Sequence, residues 1–302
     1  MKRLGAMLLA LACLPGWARS PAAPVVVTIP YMEREASHRV YADKLLVLAL
    51  ELSRERYGPY RVVQQREETV IRRQLLELSR SDGRGQGLSV AVAMPTPEWM
   101  EGTLPVRVPI MRGLSSFRFF LGVDSQQPAY DAVRSLDDLK ALTIGQGPGW
   151  STVKLLQDHG FQIVIGGAHP TLIPMLHAGR FQLLMRSIFE VEPEWRAQLP
   201  AHPGLRVLDR FAIYTYMPMY FFVSRQQPEL AERLTYGLQQ AYANGRLDAL
   251  FKQHFGDSLQ LLKNKRLQVF RIPNTNIDPS FFERDRPYLL PEIVSLETRA
   301  RR

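Results

Sequence analysis

The run Gly145-Gln146-Gly147-Pro148-Gly149, followed by Trp150-Ser151-Thr152, has the residue types that hold a small anion. Glycines let backbone approach a ligand, and the free N–H groups at the start of the next helix, with the Ser151 and Thr152 hydroxyls, can donate to a carboxylate. The same hydroxyls also suit helix capping, and the two roles are compatible. Trp150 at the mouth of the turn offers a rigid aromatic wall, or else packs the turn onto its own lobe. Arg186 ends an apolar run, where α/β sheets bind ligands, and is a candidate carboxylate clamp. Its plainer reading is an arginine paired with Glu190 or Glu192. Arg112 is a second candidate cation, with a structural ion pair as its alternative. Glu190 is a candidate acceptor for an amine, Glu33 falls in a strand-to-helix loop that could edge a ligand or simply carry solvated charge, and Tyr216 touches either ligand or hinge.

Catalytic and metal constellations are poorly represented. The six histidines show no paired metal spacing, and His169 and His177 are too far apart to share a helix turn. No G-x-S-x-G elbow occurs, and the pair Asp137-Asp138 reads as the acidic start of a helix. Glu190 and Glu192 would share a face only if extended, and a solvated loop before Pro193 is the simpler setting. No cofactor or metal site is expected.

Strands alternating with helices must position these residues. Val25 to Ile29 reads as a strand, Tyr41 to Tyr57 as a helix with Leu45, Leu48 and Leu52 on one face, and Tyr60 to Gln64 as a strand. Glu68 to Leu78 reads as an amphipathic helix, and Leu88 to Met94 as a buried strand, apolar everywhere but Ser89. Leu142 to Ile144, Phe161 to Ile165 and Phe181 to Met185 are three strands separated by helices ending near Gly160 and Ala178. Two aromatic runs, Leu114 to Val123 and Tyr214 to Ser224, read as strands that lead out of a first lobe and back into it. The last segment, from Leu267, reads as a short strand and then proline-rich chain wrapping the surface.

With 302 residues, 46% of them hydrophobic and 22% charged, the chain is long enough for two lobes with buried cores. Lys2 and Arg3, the apolar Leu4 to Leu14, and Gly16-Trp17-Ala18 together form an export-signal pattern, with cleavage expected after Ala18 and a periplasmic destination. The single cysteine, Cys13, falls inside that segment, so the exported chain has no disulfide or thiolate metal site. The formal charge of +9 is spread over helices, in Arg54, Arg56, Arg72, Arg73 and Arg233, rather than gathered into a nucleic-acid footprint. No nucleic-acid partner is expected; an anionic ligand, or attraction to an anionic membrane surface, is the more natural use of the excess.

Four segments resemble the type II periplasmic solute-binding proteins that serve polar amino-acid ABC transporters. Met94-Pro95-Thr96-Pro97-Glu98 with Val106 to Gly113 is similar to that family's threonine-x-glutamate-arginine segment, and Leu142 to Thr152 to its glycine-threonine turn. Ala178-Gly179-Arg180-Phe181-Gln182 and Leu247 to Gly256 resemble two further segments. The resemblance implies lobes that close around a small ligand and a membrane permease that reads the closed form. Two anchors depart from the pattern. Trp99 stands where such proteins place the arginine that clamps an α-carboxylate, and Ser187 where they place the aspartate that receives an α-amine.

The expected architecture is therefore α/β and two-lobed, with two crossover strands as a hinge: a signal over 1–18, a first lobe over 19–119, a second over 120–215, and a return to the first over 216–302. The expected role is capture of a small anionic or zwitterionic solute for a permease, by a monomer. A protein feeding a membrane receptor, a periplasmic enzyme of the same fold using Glu33 or Glu190, and a lobe pair without ligand are the rivals. The residues named for the site are Glu33, Trp99, Arg112, Gln146, Trp150, Ser151, Thr152, Arg186, Ser187, Glu190 and Tyr216.

Overall fold

The structure is a computed structural model that describes residues 23–31, 37–81 and 87–299. The export segment and Glu33 lie outside the described residues.

In the first lobe, β1 (Val25–Tyr31) pairs in parallel with β2 (Tyr60–Glu68). The connecting α1 (Ser37–Leu52) buries Tyr41, Leu45 and Ala49, one turn apart, against the core. The helix expected to reach Tyr57 breaks at Ser53, whose hydroxyl donates to the Leu50 carbonyl, and resumes as α2 (Arg54–Tyr57). Next, α3 (Ile71–Arg80) turns Gln74 and Leu78 inward. Strands β3 (Val90–Ala93) and β4 (Leu104–Val106), joined through α4 (Pro97–Gly102), flank β10 (Tyr220–Val223) in an antiparallel three-stranded sheet. The Ser89 N–H donates to the Thr28 carbonyl and the Thr28 N–H to Ser89 Oγ, which ties the two small sheets edge to edge.

The second lobe is a six-stranded sheet, ordered β11-β9-β5-β8-β6-β7. After β5 (Phe117–Val123), α5 (Gln127–Ala132) and α6 (Leu136–Lys140) lead to β6 (Ile144–Gln146), α7 (Ser151–Asp158), β7 (Ile163–Ile165), α8 (His169–His177) and β8 (Leu183–Ser187). Strands β6, β7 and β8 run parallel, whereas β5 lies antiparallel between β8 and β9 (Leu205–Tyr214). The loop expected around Glu190 and Glu192 is instead helical, α9 (Ile188–Gln198), with Pro193 inside it.

The chain passes between the sheets at 107–116 and returns at 215–219. Of the return strand expected over Tyr214 to Ser224, Tyr214 is the last residue of β9 in the second-lobe sheet, 215–219 is the passage and contains Pro218, which has no N–H for a ladder, and Tyr220–Val223 forms β10 in the first lobe. The two passages are tied together: the Thr215 N–H donates to the Ser116 carbonyl (3.0 Å), the Met217 N–H to Ser116 Oγ (3.1 Å), and Ser115 Oγ to the Met217 carbonyl (2.5 Å).

Helices α10 (Pro228–Ala243) and α11 (Arg246–Leu261) return to pack on α1. Their approach requires Gly237, where a Cβ would stand 2.0 Å from the Ala49 carbonyl oxygen. The tail does more than wrap the surface. Strand β11 (Gln268–Arg271) joins the second-lobe sheet, parallel to β9, and α12 (Ser280–Asp285) and α13 (Pro291–Arg299) carry the chain back to the first lobe. Asp285, only 2% exposed, accepts hydrogen bonds from the hydroxyls of Tyr216, within the second passage, and Tyr220, just after it. Asn274 Nδ2 donates to the Tyr216 carbonyl, and Ile293 is fully buried beside Gly113.

Candidate functional site

A cavity of about 300 Å³ opens between the two lobes. The first lobe supplies Ile29 at the end of β1, His38, Ala42, Asp43 and Leu46 along one face of α1, and Trp99 on α4. The second supplies Arg118 on β5 with Ser187, Phe189 and Glu190 at the β8–α9 junction; Met219 and Phe221 close it from the return passage.

Three charged groups set the electrostatics of its second-lobe wall. Arg118 pairs in register with Ser187, so strand pairing brings it beside the start of α9. Its Nη2 points at the Met217 sulfur (3.2 Å), a weak acceptor, and its buried Nε has no partner among the described residues. Burial pulls this guanidinium down to about 10, against the pull of Glu190 and with the like charge of Arg186 nearby, so it stays a cation at neutral pH. Glu190 is the third residue of α9 and accepts from the Ser187 N–H (3.0 Å) while pairing with Arg186 (3.3 Å). Burial opposes its ionisation, yet Arg186, His38 and Arg118 together hold its carboxyl at about 2. Arg186 is 9% exposed and bidentate on Glu194 (2.7 and 2.5 Å), with its guanidinium 4.8 Å from the Trp150 ring centre. Glu190 and Glu194 therefore already satisfy Arg186, whereas Arg118 retains an open donor.

On the facing wall, burial lowers His38 to about 4, leaving a neutral imidazole whose ring lies 5.0 Å from that of Phe189. Burial raises Asp43 to about 6, partly offset by Arg39. Trp99 is 6% exposed and packs on Phe222 at 5.0 Å.

The structure brings Trp99, Ser187 and Glu190 to the cavity and sets Arg186 and Trp150 behind its second-lobe wall. The partner foreseen for Arg186 as Glu190 or Glu192 is Glu190 together with Glu194, because α9 is helical and i+4 spacing brings Glu190 and Glu194 to one face. Gln146 and Thr152 are buried and bond to each other, Thr152 Oγ1 to Gln146 Oε1 at 2.5 Å, so they brace the glycine turn. The Ser151 carbonyl accepts from Asn276 of the tail. Arg112 is not brought to the cavity. It lies against Phe251 and Tyr242, is ion-paired with Asp248, and takes a left-handed φ of 49°. Tyr216 is engaged with Asp285 and is likewise outside it.

Arg118, His38, Asp43 and Gln74, which also line the cavity, were not foreseen. One signal was available: Arg118 is the single charged residue in Phe117-Arg118-Phe119-Phe120-Leu121-Gly122-Val123. A cation in an otherwise apolar strand must face something that tolerates charge.

No protein-family profile and no curated protein matches the chain in sequence. Solved structures match it in shape. One, from work on glutathione import through a cystine ABC importer of Streptococcus mutans, is 16% identical and aligns over 78% of this chain and 96% of its own with a TM-score of 0.54. A Salmonella typhimurium periplasmic binding protein of high arginine specificity is 12% identical over 76% of this chain and 99% of its own, at 0.54. An ancestral amino-acid-binding protein, a precursor of cyclohexadienyl dehydratase, is 13% identical over 76% and 95%, also at 0.54. The two-lobed α/β fold of this chain is that of the type II periplasmic binding proteins.

Proposed function

We propose that the protein is a periplasmic solute-binding protein that captures a small carboxylate, amino-acid-like in size, by closure of its lobes and presents it to an ABC transporter. The observation that carries this reading is Arg118, a buried cation lining the inter-lobe cavity with an unpartnered donor. An unpaired buried donor costs about 1–3 kcal/mol, and a bound carboxylate would remove that cost. A cavity of about 300 Å³ stands at the small end of the usual range of about 300–1,000 Å³, which suits a single amino acid rather than a peptide. Arg118 would take over the clamping role for which Trp99 is unsuited. The N-terminal export pattern supports the location, and a membrane receptor in place of the permease would use the same closed form.

A second reading, an enzyme on this fold, is favoured by one group. A general acid must carry a proton near neutral pH; Glu190, held at about 2, does not, whereas Asp43, raised to about 6, does in part.

A thermal-denaturation screen of the exported chain against amino acids, small mono- and dicarboxylates and polyamines tests the binding reading. A carboxylate at about a hundred times its dissociation constant adds about 2.7 kcal/mol of stability. Stabilisation by carboxylates and not by polyamines is expected; stabilisation by none of the carboxylates would reject it.

A further inference from the structure

Beside its charged and polar groups, among them His38, Asp43, Arg118 and Glu190, the cavity has an apolar part. Ile29, Leu46, Val90, Trp99, Phe189 and Phe221 line it, each itself 6% exposed or less. A charged or strongly polar body placed among them would give up its hydration with little in return.

Gln74, on the first-lobe helix α3, also lines the cavity, and it is 1% exposed. Its Nε2 donates to the Thr69 carbonyl at 2.8 Å, which fixes the orientation of the amide. The Oε1 is buried and has no partner among the described residues. The residues that line the cavity thus include a cation with a buried donor, Arg118 Nε, in the second lobe and a neutral amide with a buried acceptor, Gln74 Oε1, in the first, neither partnered among the described residues, with apolar surface contributed by both lobes. Each orphaned atom calls for the opposite hydrogen-bonding type on a ligand.

Resting on the solute-binding reading, we propose that the ligand is a monocarboxylate with an aromatic or similarly apolar body that ends in a hydrogen-bond donor. The carboxylate sits on Arg118, the body lies against Trp99 and Phe221, and the donor meets Gln74 Oε1. The probes that fit this description are L-tyrosine and 4-hydroxyphenyl carboxylates. Bodies carrying a charge, as in L-glutamate or L-arginine, are disfavoured by the apolar wall, and L-phenylalanine fills the space but leaves the acceptor unpaired.

Titration calorimetry of the full exported chain with L-tyrosine, L-phenylalanine, L-leucine, L-glutamate and L-arginine tests the assignment. L-Tyrosine should bind about five- to tenfold more tightly than L-phenylalanine, the worth of one neutral hydrogen bond, and Gln74→Leu should abolish that difference while retaining L-phenylalanine binding. The wild-type ranking decides the matter even if Gln74→Leu proves unstable. Equal affinity for L-tyrosine and L-phenylalanine would overturn the role of Gln74. Tighter binding of L-glutamate or L-arginine would overturn the apolar class while leaving the solute-binding reading in place. Binding of no carboxylate at all would overturn both.

Discussion

Replacing Arg118 with methionine separates binding from stability more cleanly than any other change in the cavity. In the ligand-free protein the guanidinium has little to lose. Its Nη2 contact is to a thioether sulfur at 3.2 Å, its Nε has no partner among the described residues, and burial, with a smaller push from Arg186, outweighs the favourable pull of Glu190 on its charge. Methionine is of similar length and belongs beside Met217, so removing a poorly compensated buried charge should leave the unfolding free energy within about 1 kcal/mol of wild type, or raise it. The carboxylate loses its partner completely. Truncating one member of a buried, hydrogen-bonded charge pair costs about 2–5 kcal/mol, a factor of roughly 30 to several thousand in affinity. Calorimetric titration with the tightest carboxylate, paired with thermal denaturation of the same sample, reads both quantities. Arg112→Met is the matched control, since that arginine lies on Phe251 and Tyr242 outside the cavity. A folded Arg118→Met protein that binds within about threefold of wild type would show that the carboxylate is not on Arg118.

Other consequences follow from the buried charges and close contacts. Arg186→Ala leaves Glu190 and Glu194 without their shared cation, and should cost about 3–5 kcal/mol in a urea titration; a loss below about 1 kcal/mol would mean that water reaches the pair. Because Glu190 is held at about 2 instead of its ordinary 4.5, it contributes stability, on the order of 3 kcal/mol, that is complete above pH 4.5 and lost as pH falls through 2. Glu190→Gln should accordingly be less stable at neutral pH and show a shallower acid limb, and an unaltered acid limb would exclude that carboxyl as its source. Gly237→Ala pushes a methyl to 2.0 Å from the Ala49 carbonyl oxygen and should cost about 3 kcal/mol or more, as the helices must part. Equilibrium denaturation within about 0.5 kcal/mol of wild type would show instead that α1 and α10 can slide.

The alternation of apolar runs and amphipathic helices made the α/β order legible, and the parallel strands around the glycine turn lie within a residue or two of where their Leu, Ile and Phe runs put them. What periodicity could not show was where the backbone changes its mind. Ser53 halts a helix through its own hydroxyl, the apolar run around Pro218 is the passage from β9 in one sheet to β10 in another, and Pro193 sits within a helix that starts only five residues earlier. The site was legible in part for the same reason. Ser187 and Glu190 stand at a strand-to-helix junction that the pattern marks, whereas Arg118 faces the cavity only because β5 is inserted antiparallel between β8 and β9. That pairing joins residues about seventy apart in the chain, and no local pattern encodes it.

The tail's grip on the second passage bears on how the molecule comes into being. Strand β3 waits for β10, whose Val223 pairs with Val90, and Tyr216 and Tyr220 wait for Asp285, the last to arrive. Strands β5 to β9 lie in one uninterrupted stretch, so that part of the second-lobe sheet can assemble while β3 and β4 still lack β10. Contacts of long sequence separation form slowly because the intervening loop must close first. A chain emerging from its N-terminus would thus present the exposed edge of β3 for the whole time the second lobe is being made, which is the interval in which a holding chaperone would have the most to protect.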